Sequence, residues 1–297
     1  MLSLNDRSAP VIAPKERRGM SSQGAQLNTF TDSSGRITTA VFMHRGSPPQ
    51  AHWKEEGITV GDQEMLAVGG GGVAAEFPEG ALLTASHPNE DLTGWVVSSK
   101  DHQRSNPHEL VTYVIGIKIA GMTRDQLRDA IQVVPADSGL APHPESEAGI
   151  NSNTHVLLGG GFKVEWFGNG NLATASFPST RASWKARSKD HRVPDAANLR
   201  VFAIGLRRNL PVGTVVDTEP VRSDGGQSPH PSATAGIPPG FVLTGGGAEV
   251  HFSGAGNLLW KLQPSNSQDP SFTAASKDHI TPDPCTITTY ALGIRLL

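Results

Sequence analysis

The sequence has a single cysteine, few aromatic residues and no long apolar run. Cys285 is the only cysteine among 297 residues, so an intramolecular disulfide is impossible and a zinc site built from several thiolates is excluded. No stretch approaches the roughly 20 apolar residues of a membrane helix, and the N-terminus lacks the apolar core of a secretory signal peptide. We therefore expect a soluble protein without a membrane span, either cytoplasmic or released without such a signal.

Charge is sparse as well, whereas glycine and proline are abundant. Charged residues make up 18% of the chain and the formal net charge is −3, which gives no reason to expect nucleic acid as a partner. The 33 glycines and 22 prolines favour short strands joined by many turns over a helical bundle.

The chain carries the same pattern three times. The motif Ser-Lys-Asp-His occurs at residues 99–102, 188–191 and 276–279, each time before an apolar run with one glycine. A glycine triplet precedes each motif, and the three triplets are Gly70–Gly72, Gly159–Gly161 and Gly245–Gly247. A unit that recurs at a fixed period needs its neighbours to bury its core.

These repeats predict an all-β fold of three units of about 80–90 residues, with five to six strands each. The predicted boundaries are 37–118, 129–207 and 215–297, after a flexible arm at 1–36. Within Thr123–Val134 we expect one short helical turn at most.

The strand that carries the motif has two distinct faces, because alternate side chains point to opposite sides of a sheet. One face repeats an aromatic residue, a small apolar residue and a serine, which predicts that this face lies against the core. Its members are Trp95, Val97 and Ser99; Trp184, Ala186 and Ser188; and Phe272, Ala274 and Ser276. The other face varies except for Lys100, Lys189 and Lys277, and we expect it to meet solvent.

Glycine within a strand indicates close approach of another backbone, so the three glycine strands are expected to crowd together in a pseudo-threefold arrangement. Over residues 37–297 this architecture resembles the β-prism proteins of the vitelline membrane outer layer type and the jacalin-like lectin type. The resemblance implies three sheets closed into one body. It carries no binding residues, because the chain has no jacalin-type sugar motif.

Asp101, Asp190 and Asp278 end their strands, where a carboxylate can accept hydrogen bonds from turn amides. A catalytic triad within one motif is geometrically poor, because adjacent residues point to opposite faces.

The histidines form two sets that follow the repeats. One comprises His102, His191 and His279, and the other His52, His143 and His230. If the sets meet between neighbouring units, an Asp with two His is a credible shell for a divalent metal. The alternative, which we favour, is that these residues hold the units together. No other cofactor is indicated.

Candidate ligand-binding residues lie on loops and on one basic strand. Trp53 follows a Pro/His turn and is the best exposed tryptophan, while Asn169, Asn171 and Asn257 occupy tight turns. Lys185 and Arg187 belong to a basic stretch, 181–208, which indicates either an anionic or acidic partner or pairing with an acidic face of the first repeat or another subunit.

The pattern favours a non-enzymatic, multivalent binding protein, lectin-like or adhesin-like, because linked equivalent sites gain from effective concentration. The first alternative is an assembly subunit of a coat, fibre or toxin complex, which would form oligomers. The second is a metal-dependent hydrolase. All three copies keep the same Asp and His, which disfavours catalysis.

Overall fold

The structure is a computed structural model, and it describes residues 22–297. The fold of these residues consists almost entirely of strands. The all-β prediction is confirmed. The first strands are β1 (Ser22–Gln23), β2 (Ala25–Thr31), β3 (Ile37–Arg45), β4 (His52–Thr59), β5 (Leu66–Val73), β6 (Ala81–Pro88), β7 (Gly94–Asp101) and β8 (Val111–Ile119). The helix α1 (Arg124–Ala130) then leads into β9 (Ile131–Asp137), β10 (Glu145–Gly149), β11 (His155–Glu165), β12 (Asn171–Pro178), β13 (Ser183–Asp190) and β14 (Asn198–Arg207). The last strands are β15 (Asn209–Leu210), β16 (Gly213–Asp217), β17 (Val221–Ser228), β18 (Ser232–Gly236), β19 (Val242–His251), β20 (Leu258–Pro264), β21 (Ser271–Lys277) and β22 (Cys285–Leu296).

The strands form three sheets, and each sheet takes strands from two successive sequence repeats. The first has the order β1-β4-β7-β6-β11-β14-β9, and the second has β10-β13-β12-β19-β22-β16-β15, with β17 also paired to β22. The third, β18-β21-β20-β5-β8-β3-β2, joins the last repeat to the first. Strands that are far apart in sequence therefore share each sheet, and most of the buried apolar side chains belong to one cluster.

The glycine strands β5, β11 and β19 contact one another at the centre of the fold. The equivalent glycines there are Gly69, Gly159 and Gly245, each paired with the residue before the glycine of the closing strand. The predicted first triplet is thus shifted by one residue, because the first repeat has four glycines in a row. A β-carbon on Gly159 would lie 2.6 Å from the carbonyl oxygen of Val68, and one on Gly245 would lie 2.7 Å from that of Leu158.

The aromatic face of the motif strands packs inward, as predicted. Trp95, Trp184 and Phe272 are buried, each against the middle glycine of its own repeat. Leu82, Leu172 and Leu258 form a separate, fully buried cluster, and each is paired across its sheet with a motif lysine. Apolar side chains therefore fill the space between the sheets beside the motif strands.

Two predictions of secondary structure need correction. Residues 22–31 form β1 and β2 instead of a flexible arm, because the buried side chain of Phe30 anchors β2 beside β3. Residues 1–21 lie outside the described part of the chain. The helix α1 is longer than one turn: the Thr123 hydroxyl accepts from the Gln126 amide at 3.2 Å, and the Gln126 side chain accepts from the Thr123 amide at 2.9 Å. This capping box stabilises the start of the helix.

Candidate functional site

The three Ser-Lys-Asp-His motifs bring their ends together at one end of the fold, which we call the histidine end. Six segments surround it: the loops 76–81, 166–171 and 252–257, and the segments 102–106, 191–195 and 279–283 that follow the motifs. Hydrogen bonds connect them, for example from the Gly170 amide to Asp195 and from the Gly256 amide to Asp283, at 2.5 Å in the second case. We call these six segments the loop ring.

The imidazoles of His102, His191 and His279 lie together, almost completely buried, with ring centroids 5.0–5.7 Å apart. The Nε2 atom of His102 contacts the carbonyl oxygen of His191 at 2.8 Å, and His191 contacts that of His279 in the same way at 2.9 Å. His279 faces the His102 backbone, but neither of its ring nitrogens makes a hydrogen bond of normal geometry. Burial lowers the pKa of all three, to about 3 for His279.

The motif lysines are buried, so the prediction that they meet solvent is wrong. Lys277 is 0% exposed and donates to the carbonyl oxygens of Ala75 and Glu76, the latter at 3.2 Å. Lys100 donates to Asn169 and Lys189 to Ala255 in the same manner. Each ammonium thus holds a loop of the following repeat.

The lysines also contact aromatic rings and have perturbed pKa values. The Nζ atom of Lys100 lies 4.0 Å from the Trp166 ring centroid, and that of Lys189 lies 4.4 Å from the Phe252 centroid. Such cation–π contacts stabilise a partly desolvated ammonium. Burial lowers the pKa of Lys100 to about 8 and that of Lys277 to about 7. In the loop that Lys277 contacts, the residue equivalent to Trp166 and Phe252 is Glu76, which is not aromatic.

The three aspartates make the predicted turn contacts in part. The Asp101 carboxylate accepts from the Asn106 amide at 2.5 Å, and Asp190 accepts from the Asp195 amide at 3.3 Å. Asp278 accepts instead from the Asn257 side chain at 2.8 Å.

The second histidine set does not join the first, so no Asp with two His forms at the predicted interfaces. His143 lies 3.1 Å from Asp190, His230 lies 3.1 Å from Glu76, and the His52 ring is 6.4 Å from that of Trp166. Within residues 22–297 no three side chains of the metal-ligating types are placed to hold an ion. In the first set, both ring nitrogens of His102 and His191 already face carbonyl oxygens.

Most predicted ligand-binding residues cannot offer a free surface. Trp53 is buried and donates to the His108 carbonyl at 2.7 Å, because its strand side faces the core. Asn171 and Asn257 are fully buried and donate to the carbonyl oxygens of Pro142 and Pro229. Of these loop residues, Asn169 is exposed.

The basic strand is neutralised by neighbouring carboxylates. Lys185 lies 3.1 Å from Glu145 and 3.2 Å from Glu147, while Arg187 pairs with Glu145 and Glu249. These partners come from the second and third repeats, not from the acidic first repeat. The structure therefore gives no unpaired anion-binding patch at Lys185 and Arg187.

One serine–histidine pair was not predicted from the sequence. The Ser99 hydroxyl lies 2.8 Å from His108 Nε2, and Asp101 lies 3.7 Å from His108 Nδ1. The Ser99 residue is only 1% exposed, and His108 Nδ1 contacts the Asn106 carbonyl at 2.8 Å instead of the carboxylate. The arrangement therefore holds the fold together and has no access for a substrate.

No protein-family model matches this chain, and no curated protein matches it significantly. No helix among the described residues has the length and apolar character to cross a bilayer.

Proposed function

We propose that this protein is a non-enzymatic, multivalent binding protein of lectin-like type, and that the loop ring is its ligand surface. One observation carries the proposal: of the seven large apolar side chains that are exposed among residues 22–297, four lie on the loop ring. These four are Phe77, Phe167, Phe252 and Ile280. Clustered exposed apolar residues mark interaction sites more often than scattered ones.

The support beneath these side chains also suits a binding surface. The buried lysines and histidines hold the loops through their backbone carbonyl groups, which leaves the loop side chains free to face solvent. Binding residues on a rigid scaffold lose little conformational entropy when a ligand binds. Three loops on one body would also gain from effective concentration if the ligand is itself repetitive.

The three-sheet arrangement supports the β-prism architecture that the sequence repeats predicted, and we propose pseudo-threefold symmetry for it. An assembly subunit is the second candidate, because the same exposed apolar ring would fit the surface of another protein. A hydrolase has less support, because the motif serines, lysines and histidines are buried and catalysis needs groups that reach the substrate.

A glycan array tests the proposal directly, with the intact chain measured in calcium and again in EDTA. We expect binding in both buffers, since the described residues form no metal site. The double variant Phe77→Ala/Phe167→Ala should lose the signal, whereas Leu140→Ala should retain it, because Leu140 is equally exposed but lies outside the loop ring. A blank array for the folded wild-type protein would contradict lectin function. In that case, an assembly subunit would be identified if the wild-type protein elutes as a homo-oligomer on size exclusion and the double variant elutes as a monomer.

A further inference from the structure

The three loops of the loop ring are not equivalent in chemistry. Aligned through their glycine strands, Phe77 and Phe167 correspond to Ser253 in the third loop. At the position two residues further along, the loops carry Glu79, Asn169 and Ala255. The first two loops therefore present a ring beside a polar side chain, and the third presents neither.

In the first loop, the Phe77 ring is held in place by a neighbouring histidine of the protein itself. It stacks on His230 with the centroids 4.6 Å apart and the planes at 29°. His230 is in turn held by Glu76 at 3.1 Å and through its amide by Ser228 at 3.2 Å. Phe77 nevertheless remains 65% exposed. A flat apolar surface fixed in place in this way binds at low entropic cost.

Polar groups lie in the same loop and the segment beside it. Glu79 and Arg104 form an ion pair at 2.8 Å, and both are partly open to solvent, as is Glu76. Carboxylate oxygens accept hydrogen bonds and a guanidinium donates several, so together they suit adjacent hydroxyl groups. The two carboxylates also interact with the buried Lys277 ammonium, so acceptors and donors of both signs lie at this loop.

The second loop also carries an exposed ring with a polar residue two positions further along, and here the polar residue is neutral. Phe167 is 70% exposed, and the exposed Asn169 supplies both a donor and an acceptor. In the third loop, Phe252 is one position earlier and lies over the Lys189 ammonium, and Ser253 occupies the equivalent site.

We infer that the Phe77 and Phe167 loops are two pyranose-binding subsites, and that the third loop is not a subsite. A pyranose ring has an apolar C–H face that can lie on an aromatic ring and a rim of hydroxyls that can reach the neighbouring polar groups. This inference rests on the proposed lectin function and fixes the number of sites at two rather than three.

The test uses the full chain labelled with 4-fluorophenylalanine and a panel of methyl pyranosides of glucose, mannose, galactose and N-acetylglucosamine. Of the ten phenylalanines, two should give fluorine signals that shift on titration with one of these sugars. Each of those signals should vanish in one of the variants Phe77→Ala and Phe167→Ala. The corresponding site should bind the sugar about tenfold more weakly.

Leu140→Ala is the matched control and should leave both shifts and affinities within about twofold, because Leu140 is as exposed as Phe77 but lies outside the loop ring. Near-ultraviolet circular dichroism confirms that each variant is folded. If the glycan array is positive but the shifts occur at Phe252, or at neither Phe77 nor Phe167, the inference fails and the lectin function stands. If the array is blank and no signal moves, both fail.

Discussion

The Nε2 atom of His102 lies 2.8 Å from the backbone carbonyl oxygen of His191. This contact joins the ends of two motif strands that are remote in sequence and belong to different sheets. Burial desolvates the charged form of the His102 ring, and the Lys100 ammonium disfavours it further, whereas Asp195 favours it. Burial therefore disfavours the charged form of the three imidazoles at the histidine end.

Acid should destabilise the fold through these histidines. Their folded pKa values lie below the ordinary value of 6.5, so the unfolded chain binds more protons between the two values. The stabilising contribution is complete above pH 6.5 and is lost as the pH falls toward the folded pKa, which is about 3 for His279. The free energy of unfolding, from urea titrations between pH 7.5 and 5.5, should decrease. In a folded His279→Gln variant the decrease should be smaller by up to about 1.4 kcal/mol per pH unit.

If the free energy of unfolding of His279→Gln changes with pH as steeply as that of the wild-type protein, the buried His279 ring contributes nothing to the pH dependence.

The lysines predict a second pH dependence, on the alkaline side. Burial lowers the pKa of Lys277 from 10.5 to about 7 and that of Lys100 to about 8. The unfolded chain thus holds more protons above pH 7, and stability should rise as the pH increases from 7 to 9. Lys277→Met should reduce the rise of the free energy of unfolding by up to about 1.4 kcal/mol per pH unit. The matched variant Lys185→Met should not, because Glu145 and Glu147 raise the pKa of Lys185 above its ordinary value and it stays protonated from pH 7 to 9.

The central glycines should tolerate no side chain. A β-carbon at Gly247 would collide with the carbonyl oxygen of Ser176, which belongs to the neighbouring strand β12. We expect Gly247→Ala to lower the free energy of unfolding by about 3 kcal/mol, because the backbones must move apart. Gly226→Ala, where no atom lies within 4 Å of the added carbon, should change it by less than about 0.5 kcal/mol. Equal effects in chemical denaturation would contradict the close packing of the sheets.

Much of this fold could be predicted from periodicity. Alternation in the motif strands placed Trp95, Trp184 and Phe272 inside, and the glycine triplets predicted the crowded centre. The burial of Lys277 could not be predicted in this way, because its acceptors at Ala75 and Glu76 are about two hundred residues away in sequence. One signal was available: the lysine was the only invariant residue on an otherwise variable face.

The site itself was harder to predict, because tight turns look alike in sequence whether their side chains point inward or outward. Asn171 and Asn257 are buried as donors to proline carbonyls, whereas Phe77 and Phe167 nearby are exposed. Trp53 was misplaced because an indole beside a Pro/His turn can reach the core when its N–H finds a buried carbonyl, here that of His108.

Hydrogen exchange, measured by mass spectrometry on the intact chain with and without the strongest ligand from the glycan array, tests the central claim most directly. The loop ring should become protected on binding, with the largest change in residues 76–81 and 166–171 and little in 252–257. Protection confined to the opposite end of the sheets, or to the exposed edge strands, would contradict the assignment of the loop ring as the ligand surface.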